Sequence, residues 1–440
     1  MLLGRKKLTT LAQLLTDPYY DIQADTQINI SPLLHISYIR MHPYREIGRG
    51  TFGVVFTSAD EPDTAVKKTF KSRDTLAVEF EHGLATRSSA AITSPVLEEI
   101  FPEPVPRVPW YQSSHGMQKP WAKDPWWIAN QGRLPATNGD NIPNGVFLFE
   151  RIPPVPRPLQ ESLIRRFWSQ ESQQAALDDP ENRDCMIRPY LQERWAYYEG
   201  RGRKRLNNEQ KESLRNFPAY LDDLQVMGID CHAVARQLAL GLAVGHWVAQ
   251  HDMTDVEFVI AGRQKPAVAE SRAQAVPLDD YDRAWQHRNR TIIPETQRQQ
   301  HGLPADTQMW LVDFDKCNRV RVWDDTLGQD IRKLALGICA NDPYYPSPLP
   351  DTRLGWDVYL TFTKTYIDAG CHLLRRAFEK VATSDDQLQK LLERPAMVMV
   401  EWTKIVMRDK RNNERDVFDK RMDLRKKEGW VKPSWCVHRV

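Results

Sequence analysis

No stretch of this chain reaches the roughly 18 consecutive apolar residues that a membrane-crossing helix needs, so a bilayer-spanning segment is not expected. Cysteine is also scarce. There are six in 440 residues, at 185, 231, 317, 339, 371 and 436, with no Cys-x-x-Cys pair and no Cys/His spacing suited to zinc. That scatter argues against a disulfide framework and for reduced thiols in a cytoplasmic protein. Neither charge is in clear surplus, since Lys+Arg 60 against Asp+Glu 58 leaves +2. The balance hides an uneven distribution: residues 404–440 hold 12 Lys/Arg and 6 Asp/Glu, so this end is net +6 and the remainder net −4. Such a run is ordinarily a solvated helix face, and it is also a surface that phosphates find. The opening "MLLGRKKLTTLAQLLTDPYY" carries charges inside its apolar stretch and no small-residue cleavage site, which predicts an amphipathic helix rather than a secretory leader. What the chain does have is core material, 41% hydrophobic and 10% aromatic, enough for two domains or one two-lobed unit.

Local patterns divide the chain. "YREIGRGTFGVVFTSADEPDTAVKKTF" reads as three short strands separated by Gly, Asp and Pro turns, and "DTLAVEFEHGLATRSSA" as a helix with Asp74 at its start. Residues 100–145 are rich in Pro, Trp, Gly and Asn. They predict an irregular insertion whose Trp110, Trp121, Trp126 and Trp127 pack on the body or form an exposed aromatic surface. "GVFLFERI" is a buried strand, and "PPVPRPL" an extended connector kept non-helical by proline. Helical periodicity follows at 159–175, 207–224, 230–249, 325–340, 351–380, 384–394 and 395–428, interrupted by two strands, "EFVIAG" and "QMWLVDFD", on either side of a polar stretch at 263–305. No fixed-period repeat is present.

Three motifs carry chemistry. "IGRGTFGVVF" contains Gly48-x-Gly50-x-x-Gly53 between strands; a dinucleotide fingerprint would lead into a helix instead, so the context selects a loop that brings backbone N–H groups close to phosphate. Fourteen residues beyond Gly53, "TAVKK" places Lys67 on a strand, and Glu79 on the next helix is its natural ion-pair partner. In the second half, "QHDMTDVEFVI" supplies Asp252, Asp255 and Glu257, and "LVDFDKC" supplies Asp313 and Asp315. If five carboxylates converge they cannot all ionise without a positive partner. That cation is either magnesium with ATP or a guanidinium gripped in bidentate fashion, and the residues leave both open.

In order and spacing these motifs resemble the protein kinase signature over about residues 40–340. The resemblance implies an α+β, bilobal protein-kinase-like fold. A helical extension would span 1–40, a β-rich lobe with the Trp/Pro insertion 41–155, and a helical lobe ending in the basic segment 156–440. The departures are specific: Glu257 replaces the metal-holding Asn, Asp315 replaces Gly, Gln250-His251 replaces His-Arg, and no Ala-Pro-Glu follows, which disfavours a protein substrate.

"GHWVAQHDMTDVEFVI", "MWLVDFDKC" and "NDPYYPSP" further resemble a fungal family of kinase-related proteins that includes tRNA-dependent, arginine-containing cyclodipeptide synthases. That resemblance implies an aminoacyltransferase of secondary metabolism that joins arginine from arginyl-tRNA to a second aminoacyl group as a cyclo(Arg-Xaa) diketopiperazine. It would need no cofactor, no metal, no DNA and no membrane. Asp252, Glu257, Asp313 and Lys67 would be catalytic, while Asp255, Asp315, Glu79, Gly48, Gly50 and Gly53 would bind substrate. Arg201, Arg203, Lys204, Arg205, Lys410, Arg411, Lys426 and Lys427 would meet the tRNA. The alternatives are an ATP-dependent small-molecule phosphotransferase holding Mg-ATP and a non-catalytic pseudokinase that binds a protein.

Overall fold

The computed structural model describes residues 42–70, 73–116, 123–135, 145–194, 213–264, 302–322, 327–341, 343–378, 384–413 and 415–429. The expected helix before residue 40, Trp121, the 201–205 cluster, Cys436 and most of the polar 263–305 stretch lie outside these residues. The fold is α+β, with two sheets and a large helical body.

The first sheet contains β1 (Arg45–Arg49), β2 (Gly53–Ser58), β3 (Glu61–Thr69), β4 (Tyr111–His115) and β5 (Val146–Glu150), in the spatial order β1-β2-β3-β5-β4. Side-chain alternation gives it two working faces. Val54, Phe56, Val66, Val146 and Leu148 join Tyr44 and Trp127 in an outer cluster. Val55, Lys67 and Phe147 fall on the opposite face, because Lys67 pairs across the ladder with Val55 on one side and Phe147 on the other. Helix α1 (Arg73–Glu98) packs Leu76 and Phe80 against this sheet, Phe80 meeting Tyr111 edge-on at 5.8 Å.

The described residues of the 100–145 segment hold more regular structure than its composition suggests. Tyr111–His115 completes the sheet as an edge strand, and α2 (Pro125–Asn130) starts on Asp124, which accepts from the Trp127 amide. Backbone pairing along β5 outweighs the irregular composition. Trp127 is buried, Trp126 stacks on His115 at 4.8 Å, and Trp110 is exposed under the guanidinium of Arg87.

Residues 151–156 lead out of the sheet, held by Gly262 N–H on Pro153 O and Val155 N–H on Cys185 O. The connector is shorter than "PPVPRPL". Helix α3 (Arg157–Phe167) begins inside it, because Pro158 occupies the first turn, where a missing N–H is harmless. The predicted helix 159–175 is divided in two, α3 and α4 (Gln173–Asp178). Of the predicted 207–224 helix, residues 213–220 are not helical. Among its described residues, β7 (Phe217–Ala219) pairs in parallel with β6 (Ile187–Pro189), and only α5 (Leu221–Val226) is helical. Pro218 stands in the middle of that span and breaks the helical pattern.

The second sheet runs β7-β6-β8-β9, with β8 (Glu257–Gly262) antiparallel to β9 (Thr307–Val312). Helix α6 (Cys231–Trp247) is apolar on nearly every side and correspondingly buried, capped by Asp230, which accepts from the amides of His232 and Ala233. Against it packs α8 (Arg353–Phe378), followed by α9 (Asp385–Asn413), which also lies on α7 (Leu327–Ala340), and then α10 (Arg415–Lys427). The expected break at 394/395 is absent. Helix α9 continues through Pro395, where burial of Arg394, Pro395, Val398, Met399 and Trp402 outweighs one lost backbone hydrogen bond.

Candidate functional site

The two sheets face each other across a cleft of about 400 Å³. Its roof is the Gly-rich turn between β1 and β2 together with the inner face of the first sheet; its floor comes from β6, β8 and the residues after β9. Val55, Ala65, Phe147, Met186, Val259 and Val312 give it an apolar slot, and Lys67, Glu79, Asp313, Arg188 and Glu257 add charged groups to the lining.

Gly48, Gly50 and Gly53 all border the cleft, but for different reasons. A Cβ at Gly53 would sit 2.4 Å from the Lys68 carbonyl, so the β2–β3 contact requires glycine there. A Cβ at Gly50 would meet nothing within 4 Å, and one at Gly48 only ordinary contacts with Val55. The turn is closed by Gly50 N–H on Gly53 O at 2.9 Å, and Thr69 Oγ1 and the Phe70 amide both donate to Phe52 O. Lys316, from the floor, lies 4.8 Å from the centre of the Phe52 ring, so roof and floor touch at the tip of the turn.

Lys67 Nζ donates to Glu79 Oε1 at 2.6 Å and to Asp313 Oδ1 at 2.9 Å. Burial alone would lower the Lys67 pKa, but the two carboxylates outweigh it and hold the amine protonated. Burial pushes the Glu79 carboxyl up to about 8 against the pull of Lys67. Asp313, the residue after β9, has φ 64, and Asp255 (φ 62) and the bulky, fully buried Met253 (φ 54) are also left-handed. Non-glycine residues at such angles persist only where the surroundings over-determine them, here on two segments beside the cleft.

Glu257 borders the cleft but is not free. Arg188 Nη2 donates to its Oε2 at 2.6 Å, and Tyr190 hydrogen-bonds the same guanidinium. Burial raises the Glu257 pKa to about 7, opposed by Arg188 and assisted by Asp313. Asp255 is paired with Lys316, and its amide donates to Asn341 Oδ1. Asp315 is 8% exposed, and both of its carboxylate oxygens are buried without a hydrogen-bond partner. Burial and neighbouring Asp313 push it up to about 6.

Asp252 is not brought to the cleft surface. It is 5% exposed and accepts from the Thr254 amide at 3.1 Å and from the Asn318 amide and Nδ2, each at 2.9 Å. It binds the 250–254 loop to the 316–318 turn, and its acceptors are committed to that task. Of the expected acidic pocket, Glu79, Asp255, Glu257 and Asp313 border the cleft, Asp315 lies behind them, and Asp252 serves the loop. Lys316 follows directly in the "DFDKC" motif and was legible there; Arg188 in "MIRPY" carried no signal, because only the pairing of β6 with β8 delivers it to Glu257. Burial holds the Cys317 thiol well above its usual range and therefore neutral, a poor nucleophile.

On the basic segment, Arg411, Lys426 and Lys427 are exposed and Lys410 is half-buried. Arg421 grips Asp351 through two bonds of 2.6 and 2.7 Å, fixing α10 to the body. No helix among the described residues is long and apolar enough to cross a membrane.

A family model described as "Zinc finger protein" matches residues 309–377, a minor part of the chain. That segment includes Cys317, Cys339, Cys371 and His372, and among the described residues no group of three or more His, Cys, Asp or Glu side chains comes together as a metal site. No curated protein matches the chain, and no solved structure does.

Proposed function

We propose that this chain is a protein-kinase-like scaffold turned to tRNA-dependent cyclodipeptide synthesis, with arginyl-tRNA as one substrate. One observation carries the reading. A single cleft joins a Gly-rich roof and an apolar slot, suited to a nucleoside, to carboxyls that titrate near neutrality. The terminal adenosine of an acceptor end is a flat base on a ribose with an adjacent phosphate, which fits the slot and the Gly-rich turn. The aminoacyl ester then points toward Asp313, Glu257 and Glu79.

In the reaction, the α-amine of one aminoacyl group attacks the ester carbon of the other. A C–N bond forms, the C–O bond to the ribose breaks, and the ribose oxygen leaves with a proton. The free amine of the resulting dipeptidyl ester attacks the remaining ester, closes the diketopiperazine and releases the second tRNA. Both esters are already activated, so ATP is not consumed. The attacking amine must lose a proton, and a base is most effective when its pKa lies near the working pH, as for Glu257 at about 7. The exposed cations of α9 and α10 supply a surface for the tRNA backbone; residues 201–205, also assigned that role, lie outside the described structure.

Lys67 bonded to Glu79 and Asp313 favours a second reading, an ATP-dependent phosphotransferase. In that case Lys67 would hold phosphate oxygens and Asp313 would hold magnesium, which supplies charge neutralisation when bound. Against it, Glu257 takes the place of a metal-holding Asn and is already paired with Arg188.

Purified protein should convert labelled arginyl-tRNA and a pool of charged tRNAs into an arginine-containing cyclic dipeptide without ATP, and ribonuclease should abolish the product. No such product by mass would sink the proposal. Transfer of label from γ-labelled ATP to a small acceptor would establish the second reading instead.

A further inference from the structure

The floor of the cleft contains two different kinds of carboxylate. Glu257 has its own guanidinium, Arg188 Nη2 at 2.6 Å, which already occupies the contact a substrate arginine would make there. The other group is short of positive charge. Lys67 and Lys316 stand among four carboxyl groups, Glu79, Asp313, Asp315 and Asp255, and Glu79 is the one that burial keeps protonated most readily. Lys316 is engaged by Asp255, and Lys67 divides its charge between Glu79 and Asp313. Asp315 has no hydrogen-bond partner at either oxygen and is more than nine-tenths buried. A buried carboxyl left in this state either keeps its proton or is ionised by a cation from outside.

Of these groups, a ligand reaches Asp313. Its side chain is 30% exposed against 4% for Glu79, and it borders the cleft whereas Asp315 does not. Only Asp313 Oδ1 is taken by Lys67, which leaves Oδ2 for a ligand. The bond from Lys67 Nζ to Oδ1 holds the carboxylate in place before any ligand arrives.

We infer that Asp313, backed by the unpartnered Asp315, is the seat for the guanidinium or ammonium of an organic cation, and that the Arg188–Glu257 pair is a wall of the cleft rather than that seat. The inference rests on the reading of the cleft as an arginyl site, and it narrows the five candidate carboxylates to one seat. A planar guanidinium would approach Asp313 Oδ2 from the cleft, with Asp315 compensating its charge from behind.

The probe is argininamide, a stable relative of the arginyl ester, titrated calorimetrically into the full chain, with the uncharged citrulline amide as control. Binding by argininamide alone is expected. Asp313→Asn, which keeps a side chain that tolerates the left-handed backbone, should weaken it at least about tenfold, the loss typical of a hydrogen bond to a charged group. Asp315→Asn should weaken it several-fold without changing the cleft surface. The double variant Arg188→Met, Glu257→Gln removes the pair and should keep argininamide binding within about threefold of the parent, while cyclic product falls because Glu257 is the proposed base.

Loss of binding in the double variant with retention in Asp313→Asn would overturn the inference, as would equal binding of citrulline amide. The outcomes also separate the inference from the reading beneath it. Cyclic dipeptide formation with argininamide binding indifferent to Asp313→Asn rejects the seat alone; Asp313-dependent binding with no cyclic product from charged tRNAs rejects the reaction and leaves the seat standing.

Discussion

Ionisation at single residues divides this protein into two opposed sets. His82 and His251 lie ring to ring at 4.3 Å between α1 and the 250–254 loop, and burial pushes His251 down to about 3, as it does His246 on α6. A depressed folded pKa gives a contribution that is present above the ordinary value near 6.5 and is lost as pH falls toward 3. Glu79, Glu257 and Asp315 behave the other way. Burial raises them to about 8, 7 and 6, so their contribution is complete below the ordinary carboxyl range and is lost as pH rises through those values. His251→Gln removes one histidine while keeping an amide that can meet Thr86 Oγ1, the present neighbour of His251 Nδ1 at 3.4 Å. The variant should lose less stability than the parent between pH 6.5 and pH 4, measured as the urea midpoint. Parallel slopes for the two proteins would remove His251 from the acid response.

At the scale of elements, the Gly-rich turn separates folding from function within six residues. Gly53 is required by the backbone of β3, with a Cβ placed 2.4 Å from Lys68 O, whereas Gly50 borders open space in the cleft. Gly53→Val should destabilise the first sheet by about 2 kcal/mol or more, as overpacking does, and lower the thermal midpoint. Gly50→Val should leave that midpoint within about 1 °C and instead fill the space a nucleoside phosphate needs, so that cyclic product falls at least about tenfold. Equal thermal losses in both variants would show that the turn is only structural. The strands around this turn, α1 and the central helix were legible beforehand because their patterns are unambiguous: alternation in "GVVF" and "TAVKK", and a long apolar run bounded by Asp230. Residues 217–219 form a strand inside a helical pattern because helical spacing and a short buried strand look alike over so few residues. Tyr111–His115 was missed because an edge strand is identified by the partner it pairs with, and that partner is more than thirty residues away in sequence.

Across the whole molecule, the surplus of positive charge lies in residues 404–440. Helix α10 is anchored by Arg421 on Asp351 and by Arg425 over the Trp356 ring at 4.2 Å, which leaves its Lys426 and Lys427 facing solvent, and Arg411 near the end of α9 is exposed as well. Replacing Lys410, Arg411, Lys426 and Lys427 with Ala should weaken tRNA binding about tenfold or more in filter-binding assays near 0.1 M salt and flatten its dependence on salt, with argininamide binding unchanged. Unaltered affinity and salt slope would place the tRNA on another face.

The sequence by itself determined the ordered motifs: a glycine turn between strands, a strand lysine, a helix glutamate and two acidic loops. These depend on spacing along the chain, and spacing survives without knowledge of contacts. Which carboxylate is available was decided only by the tertiary structure. Asp252 is consumed by Asn318, Glu257 by Arg188 and Asp255 by Lys316, leaving Asp313 and Asp315 short of positive charge. The physical reason is that a carboxylate's role is set by the charges within a few ångströms of it, and the chain brings those charges together from segments remote in sequence.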